Sequence, residues 1–233
     1  MVVGVFNQDT GELLRPLDVA TQNTYVQDIQ RLAQEFKPKY LGIGIEINIL
    51  YEHSQADFDT FVSLFETADI AVKQVSPATK VFTVFQLEHL KGLRGGLFGG
   101  QNDASQAQWQ LLARFDKADI LAFSTYPAII YSTPADIPED YFTEIQQYTS
   151  KPIAITENGW FREAPTGWQP STVETQAEYI NRFFKLLPDP KPEFVFWSFL
   201  YDPPIASPVF STMGLLQAGQ QTSPAWEAWK LAK

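Results

Sequence analysis

Short β-branched and apolar runs alternate with amphipathic segments along the whole chain, and no low-complexity linker interrupts them. The apolar runs are VVGVF (2–6), YLGIGIEIN (40–48), KVFTVFQL (80–87), DILAFSTY (119–126), PIAITE (152–157) and EFVFWSF (193–199). Most are apolar at successive positions, the pattern of parallel strands covered on both faces. Between them, Thr24 with Gln27, Ser105 with Gln108 and Ser171 with Glu174 have capping-box spacing, and Pro224 follows Ser223 where a first-turn proline belongs. Helical stripes follow each start: Val26, Ile29, Ala33 and Phe36; Phe58, Phe61, Val62, Phe65 and Val72; Trp109, Leu112 and Phe115. Tyr141, Ile145 and Tyr148 continue the series, then Ala177, Ile180, Phe184 and Leu187, then Trp226 and Trp229. These stripes are expected to be core. Six strand-then-helix units in sequence predict an α/β fold with a parallel sheet, doubly wound or closed into a barrel, in a single domain over 1–233.

Composition narrows the chemistry. Of the 233 residues, 45% are hydrophobic, enough for a substantial core. The 17 Lys and Arg against 27 Asp and Glu give a formal charge of −10, which repels phosphate backbones and makes nucleic acid a poor partner. There is no Cys and there are only two His, so disulfides, thiolate metal sites and a catalytic Cys are excluded, and neither a transition-metal site nor any cofactor is expected. The apolar runs are strand-length and the N-terminus lacks the pattern of a signal peptide, so a soluble chain without membrane association is expected, its compartment unassigned. No glycine fingerprint follows the first run, and RGGLFGG (94–100) lacks the Lys and Ser/Thr of a phosphate loop; it reads as a flexible loop.

In parallel α/β folds chemistry gathers at the C-terminal ends of strands. Those ends carry Glu46 and Asn48, Glu88 with His89, Tyr126, Glu157 with Asn158, and Trp197 with Asp202. Three carboxylates at such positions exceed what an apolar sheet tolerates without a purpose, because an unpaired buried carboxylate is costly. Two opposed carboxylates with aromatic platforms suit glycoside cleavage, in which one acid protonates the leaving oxygen and one carboxylate meets the oxocarbenium-like centre. In a closed barrel Glu46 and Glu157, with two strands between them, stand across the mouth from one another. Each residue also has a structural reading. Glu157 caps a loop, Glu88 pairs with Arg94, Tyr126 packs before Pro127, Trp160 and Trp168 anchor a loop, and His53 and His89 are satisfied by neighbours.

The segment ITENGW (155–160) resembles the nucleophile segment on the seventh strand of the clan A glycoside hydrolases, barrel enzymes with catalytic glutamates on strands 4 and 7. ITENG is particularly similar to family 1 β-glucosidases, FVFWSFLYD (194–202) to their eighth-strand Trp-Ser segment, and YLGIGIEIN with its short helical units to the family 53 endo-β-1,4-galactanases. The resemblance runs from about residue 22 to the end. It implies a (β/α)8 TIM barrel with Glu157 as nucleophile and Glu46 as general acid/base. It further implies that Tyr126 hydrogen-bonds the nucleophile, that Trp197 is a platform under the sugar, and that Asn48, Glu88, Asn158 and Trp160 line the substrate. The clan has Asn immediately before its acid/base, where the amide binds the sugar 2-hydroxyl; Ile45 stands there in this chain, leaving Asn48 or another residue to substitute.

Counted from Glu46 on strand 4, the first run becomes strand 3, so the barrel is expected to be incomplete, with six units for strands 3 to 8. A full barrel takes about 250 residues or more, and roughly 80 would be missing. Three explanations follow: a fragment, a natural six-unit form, or a homo-oligomer in which chains close one another's open edges. The expected function is a retaining glycoside hydrolase acting on a β-linked glycan of galactan type. The alternatives are a catalytically impaired barrel remnant that binds carbohydrate or serves as a scaffold, and a Mg²⁺-dependent hydrolase, which the absence of an Asp cluster disfavours.

Overall fold

Strands form where the apolar runs are densest. The computed structural model describes residues 2–8, 10–205 and 207–232. β1 (Val2–Val3), β2 (Tyr40–Ile43), β3 (Lys80–Gln86), β4 (Ile120–Thr125) and β5 (Ile153–Asn158) make one sheet in the order β1-β2-β3-β4-β5. The β1–β2, β2–β3 and β3–β4 pairings are parallel, with Val2 opposite Gly42, Tyr40 opposite Lys80 and Phe82 opposite Ile120. Each strand lies beside its predecessor, as consecutive elements most often do. The chain resolves into two compact units, residues 1–90, 108–124 and 149–154 in the first, and 91–107, 125–148 and 155–233 in the second.

In the first unit, α1 (Val19–Phe36) begins earlier than Thr24 because Asp18 is the N-cap, accepting from the Thr21 amide at 2.8 Å. Thr24 lies inside the helix, its hydroxyl donating to the Ala20 carbonyl. Ile29 and Ala33 are buried, but Phe36, expected in the core, is 64% exposed. The run 40–48 is a strand only to Ile43. Gly44 turns the chain at φ +84, Glu46 follows at φ +51, and α2 (Ile47–His53) starts at once. A Cβ on Gly44 would fall 2.5 Å from Phe61 and 2.6 Å from Ile47, so only glycine permits this turn.

α3 (Gln55–Val75), capped by Ser54, presents Phe58, Phe61 and Phe65 to Phe115. That ring also meets Phe85 edge-on at 5.6 Å. The Trp109–Phe115 stretch is 3₁₀ rather than α, and so is Thr143–Gln147 in the second unit. A short α4 (Leu87–Leu90) follows β3 directly. Lys73 closes the first unit's lower rim with an ion pair to Asp119 at 2.6 Å. A cavity of about 380 Å³ lined by Lys37, Lys39, Ser76 and Thr79 lies where β2 and β3 begin, the end of the strands away from Glu46.

In the second unit, α5 (Val173–Leu186) is capped by Thr172, one residue after Ser171, and buries Gln176, Tyr179, Ile180, Phe183 and Leu186. The buried face is therefore rotated from the expected Ala177, Phe184 and Leu187 stripe, toward the larger rings at 179 and 183. α6 (Pro224–Leu231) starts as expected behind Ser223. The sixth apolar run, 193–199, does not form a continuous strand. It holds one parallel bridge, Val195 to Ile155, with the Ile155 and Phe196 amides donating to Phe194 and Ile155 carbonyls. The 94–100 segment contains a 3₁₀ turn at Gly96–Phe98, where Gly96 at φ +59 approaches the Ile129 carbonyl. Among the described residues, no helix is long and apolar enough to cross a membrane.

Candidate functional site

The polar side chains at the strand ends form one group in each unit. In the first, the half-buried Glu46 is the N-cap residue of α2, yet its carboxylate makes no bond to its own helix. Its Oε1 instead accepts the Ser124 hydroxyl at 2.6 Å. Left-handed backbone at a residue other than glycine is strained, and such strain persists where surrounding structure enforces it. Asn48, two residues on, supplies that enforcement. Its Nδ2 donates to the Gln86 carbonyl and to Gln108 Oε1, both at 3.0 Å, and its Oδ1 accepts the Gln86 amide at 2.8 Å. Both N–H donors of the Asn48 amide are thereby used within the fold, and the residue is fully buried. Sequence reasoning placed Asn48 on substrate; the structure uses it to clamp α2 to the end of β3.

Glu88, also expected to touch substrate, is fully buried in α4 and accepts Gln86 Nε2 at 2.6 Å. Gln108 donates through Nε2 to Glu52 at 2.6 Å, and Glu52 in turn lies 3.1 Å from His89 Nδ1. His89 is thus held by a carboxylate, in line with its structural reading. His53 packs over Gly11, where a Cβ would fall 2.1 Å from its ring.

In the second unit, the half-buried Glu157 accepts the Tyr126 hydroxyl at Oε2, 2.7 Å away. Ser198 Oγ lies 2.8 Å from the same hydroxyl and accepts the Asn158 amide at 3.0 Å. The single Ser198 proton has two acceptors in reach, the Tyr126 hydroxyl oxygen and the Asn158 carbonyl at 3.1 Å. Phe210 packs edge-on against the Tyr126 ring at 5.0 Å, and Gly159 leaves room for that ring and Met213, whose sulfur a Cβ would meet at 2.9 Å. Asn158, Trp160 and Trp197 turn into the unit's core instead of toward ligand. Asn158 is fully buried, accepts the Tyr179 hydroxyl and leaves its Nδ2 without a partner.

Trp160 is fully buried against Tyr179 at 4.9 Å, with its indole N–H on Ser171, and so offers no stacking face. Trp197, the expected platform, is 9% exposed, packs between Tyr179 and Trp229 and donates to the Met213 carbonyl at 2.8 Å. Trp168 is half-buried, its indole nitrogen shielded and unpartnered. Asp202 is engaged by Arg162 at 2.7 Å and by the Gly214 amide at 3.0 Å, which ties the 199–216 loop to the segment after β5. Gln176 strengthens that tie by donating to the Trp160, Met213 and Gly214 carbonyls. Among the described residues, no three His, Cys, Asp or Glu side chains gather as metal ligands.

Sequence reasoning missed Ser124, Ser198, Gln86, Gln108 and Tyr179. The first and third carried a signal: each is a polar residue near the C-terminal end of a mostly apolar strand, ILAFST and KVFTVFQ. A buried hydroxyl or amide at such a place must have a partner.

The fold of the chain is similar to that of solved carbohydrate-active enzymes. No protein-family model matches the chain, and no curated protein matches it. Solved structures do. The GH53 catalytic domain of Ignisphaera aggregans is similar over 91% of this chain at 18% identity and a TM-score of 0.62. A β-D-glucuronidase of Dictyoglomus thermophilum is similar over 93% at 16% identity and 0.61, and a Rhizomucor miehei β-1,3-glucanosyltransferase over 89% at 16% and 0.58. The chain spans 66% of the first, 36% of the second and 71% of the third. At these identities the likeness concerns the fold.

Proposed function

We propose that this chain is a retaining glycoside hydrolase of clan A type, or the catalytic part of one, built on a (β/α)8 barrel plan as a single domain and acting on a β-linked glycan of galactan type. The observation that carries the reading is the Tyr126 hydroxyl on Glu157 Oε2 at 2.7 Å, at the end of the strand that carries ITENGW. A charge-assisted bond of this kind fixes one carboxylate oxygen and leaves the other for attack. Glu157 attacks the anomeric carbon while Glu46 gives its proton to the departing oxygen. Glu46 then takes a proton from water, whose oxygen displaces Glu157 from the sugar. The fold shared with glycosidases and a glucanosyltransferase supports a carbohydrate substrate.

A second reading rests on a specific observation. Ile45 replaces the clan's 2-hydroxyl-binding Asn, and the Asn48 amide is consumed by Gln86 and Gln108. Contact with the 2-hydroxyl strengthens in the transition state, so its loss lowers rate by orders of magnitude, and the chain then serves as a carbohydrate-binding remnant. A panel of 4-nitrophenyl β-glycosides and soluble galactan separates the readings. Turnover by the wild type that Glu157→Gln abolishes supports the hydrolase, whereas binding without turnover supports the remnant. Light scattering on a size-exclusion column, run beside the panel, tests whether activity belongs to a homo-oligomer in which chains close each other's sheet edges.

A further inference from the structure

Ser124 stands at a position where a hydroxyl has no reason to be unless it holds something. It is fully buried near the end of β4, after Ile120, Leu121, Ala122 and Phe123, all of them buried and apolar. A hydroxyl taken out of water is destabilising unless it makes a hydrogen bond. Ser124 has one proton and two acceptors in reach: Glu46 Oε1 at 2.6 Å and the Phe85 carbonyl at 3.5 Å. The shorter separation falls in the range of charge-assisted O–H to carboxylate bonds, and the longer is at the limit of any hydrogen bond. The proton therefore belongs to Glu46. On the other side, the strained backbone of Glu46 at φ +51 and ψ 42 is fixed by the α2 clamp through Asn48, so the glutamate is constrained at both its main chain and its carboxylate.

We infer that Ser124 is the positioning residue of the general acid/base, holding Oε1 of Glu46 so that Oε2 carries the proton that is delivered to the leaving group. This rests on the reading of Glu46 as acid/base.

Leaving-group dependence reads the role directly. An activated 2,4-dinitrophenyl leaving group departs without a proton, whereas a phenyl group needs one, so only a fault in acid delivery separates them. The sugar is whichever of the 4-nitrophenyl panel the protein turns over. For Ser124→Ala, kcat/KM on the phenyl glycoside is expected to fall on the order of tenfold or more, with the dinitrophenyl glycoside changed by less than about threefold. Ser124→Cys, which keeps the volume but is a weak donor, should share the defect, and Ser124→Thr should restore it. In a Glu46→Ala background Ser124→Ala should have no further effect. Equal losses on both substrates, or a full Ser124→Ala effect in the Glu46→Ala background, would overturn the inference while leaving the acid/base reading intact. If Glu46→Ala itself shows no leaving-group dependence, or the wild type turns over none of the panel, the acid/base reading fails and the inference fails with it.

Discussion

Removing the Asn48 amide should cost stability far more than any ligand contact would. In Asn48→Ala three buried partners lose their bonds at once: the Gln86 amide, the Gln86 carbonyl and Gln108 Oε1. A buried polar group left unsatisfied costs about 1–3 kcal/mol, so the sum is about 3 kcal/mol or more, even where Gln108 rotates to relieve part of it. Set against a domain stability of about 5–15 kcal/mol, this is a severe loss. Asn48→Asp sharpens the test. It keeps an acceptor for the Gln86 amide but sets a charged oxygen against two other acceptors, and is expected to be at least as damaging. Urea unfolding followed by far-UV circular dichroism gives the difference as a shift in midpoint at constant slope. A loss below about 1 kcal/mol for Asn48→Ala, together with a raised KM, would refute the clamp and return Asn48 to the substrate.

Three further perturbations test the packing and the electrostatics of the first unit. Phe115→Ala removes the 1%-exposed ring on which Phe58, Phe61, Phe65 and Phe85 converge, and should destabilise by about 3–5 kcal/mol. Phe36→Ala, at 64% exposure, should stay within about 0.5 kcal/mol in the same urea titration; comparable losses would contradict the observed face of α1. Asp69 is held above the ordinary carboxyl value of 3.8, chiefly by burial and further by Asp119, against the opposing pull of Lys73 and Lys117, and its Oδ1 has no partner. Because the folded state favours the protonated form, the cost of Asp69 is absent below the unfolded value and grows as pH rises through the raised one. Asp69→Ala should therefore raise the melting temperature at pH 7.5 and lose that advantage near pH 3.5; a gain that grows on acidification would be the wrong sign.

Local signals were legible where one principle acted alone. The largely buried β3 and β4 showed as mostly apolar runs, and Ser223-Pro224 marked the start of α6 to the residue. Where two principles competed, the sequence misled. Thr24 with Gln27 has capping spacing, but Asp18 is an equally good cap six residues earlier, and helix propagation favours the longer choice. YLGIGIEIN alternates like a strand throughout, yet Gly44 meets Phe61 from α3, a contact 17 positions away that no local pattern reveals. The 109–115 stripe suits an α-helix and a 3₁₀ segment equally, since both bring residues three apart together.

The candidate site divides along the same line. Residue types placed Glu46, Tyr126 and Glu157 at strand ends, and the structure gives them hydrogen-bond partners there, Ser124 for Glu46 and each other for Tyr126 and Glu157. Which aromatic rings face ligand depended on tertiary packing. Trp160 and Trp197 lie with Tyr179, which reaches them from α5, and neither ring was legible as core from its own segment. Ser124 lies 78 residues from Glu46 in sequence, beyond any spacing rule.

The most direct test of the central claim is to trap the nucleophile. A 2-deoxy-2-fluoro β-glycoside of the sugar accepted in the panel, with a dinitrophenyl leaving group, slows hydrolysis of the glycosyl-enzyme so that the adduct survives for mass spectrometry. The account predicts a single added glycosyl mass on the peptide containing Glu157, absent from Glu157→Gln. A glycosyl adduct on another residue, or undiminished turnover by Glu157→Gln, would contradict it.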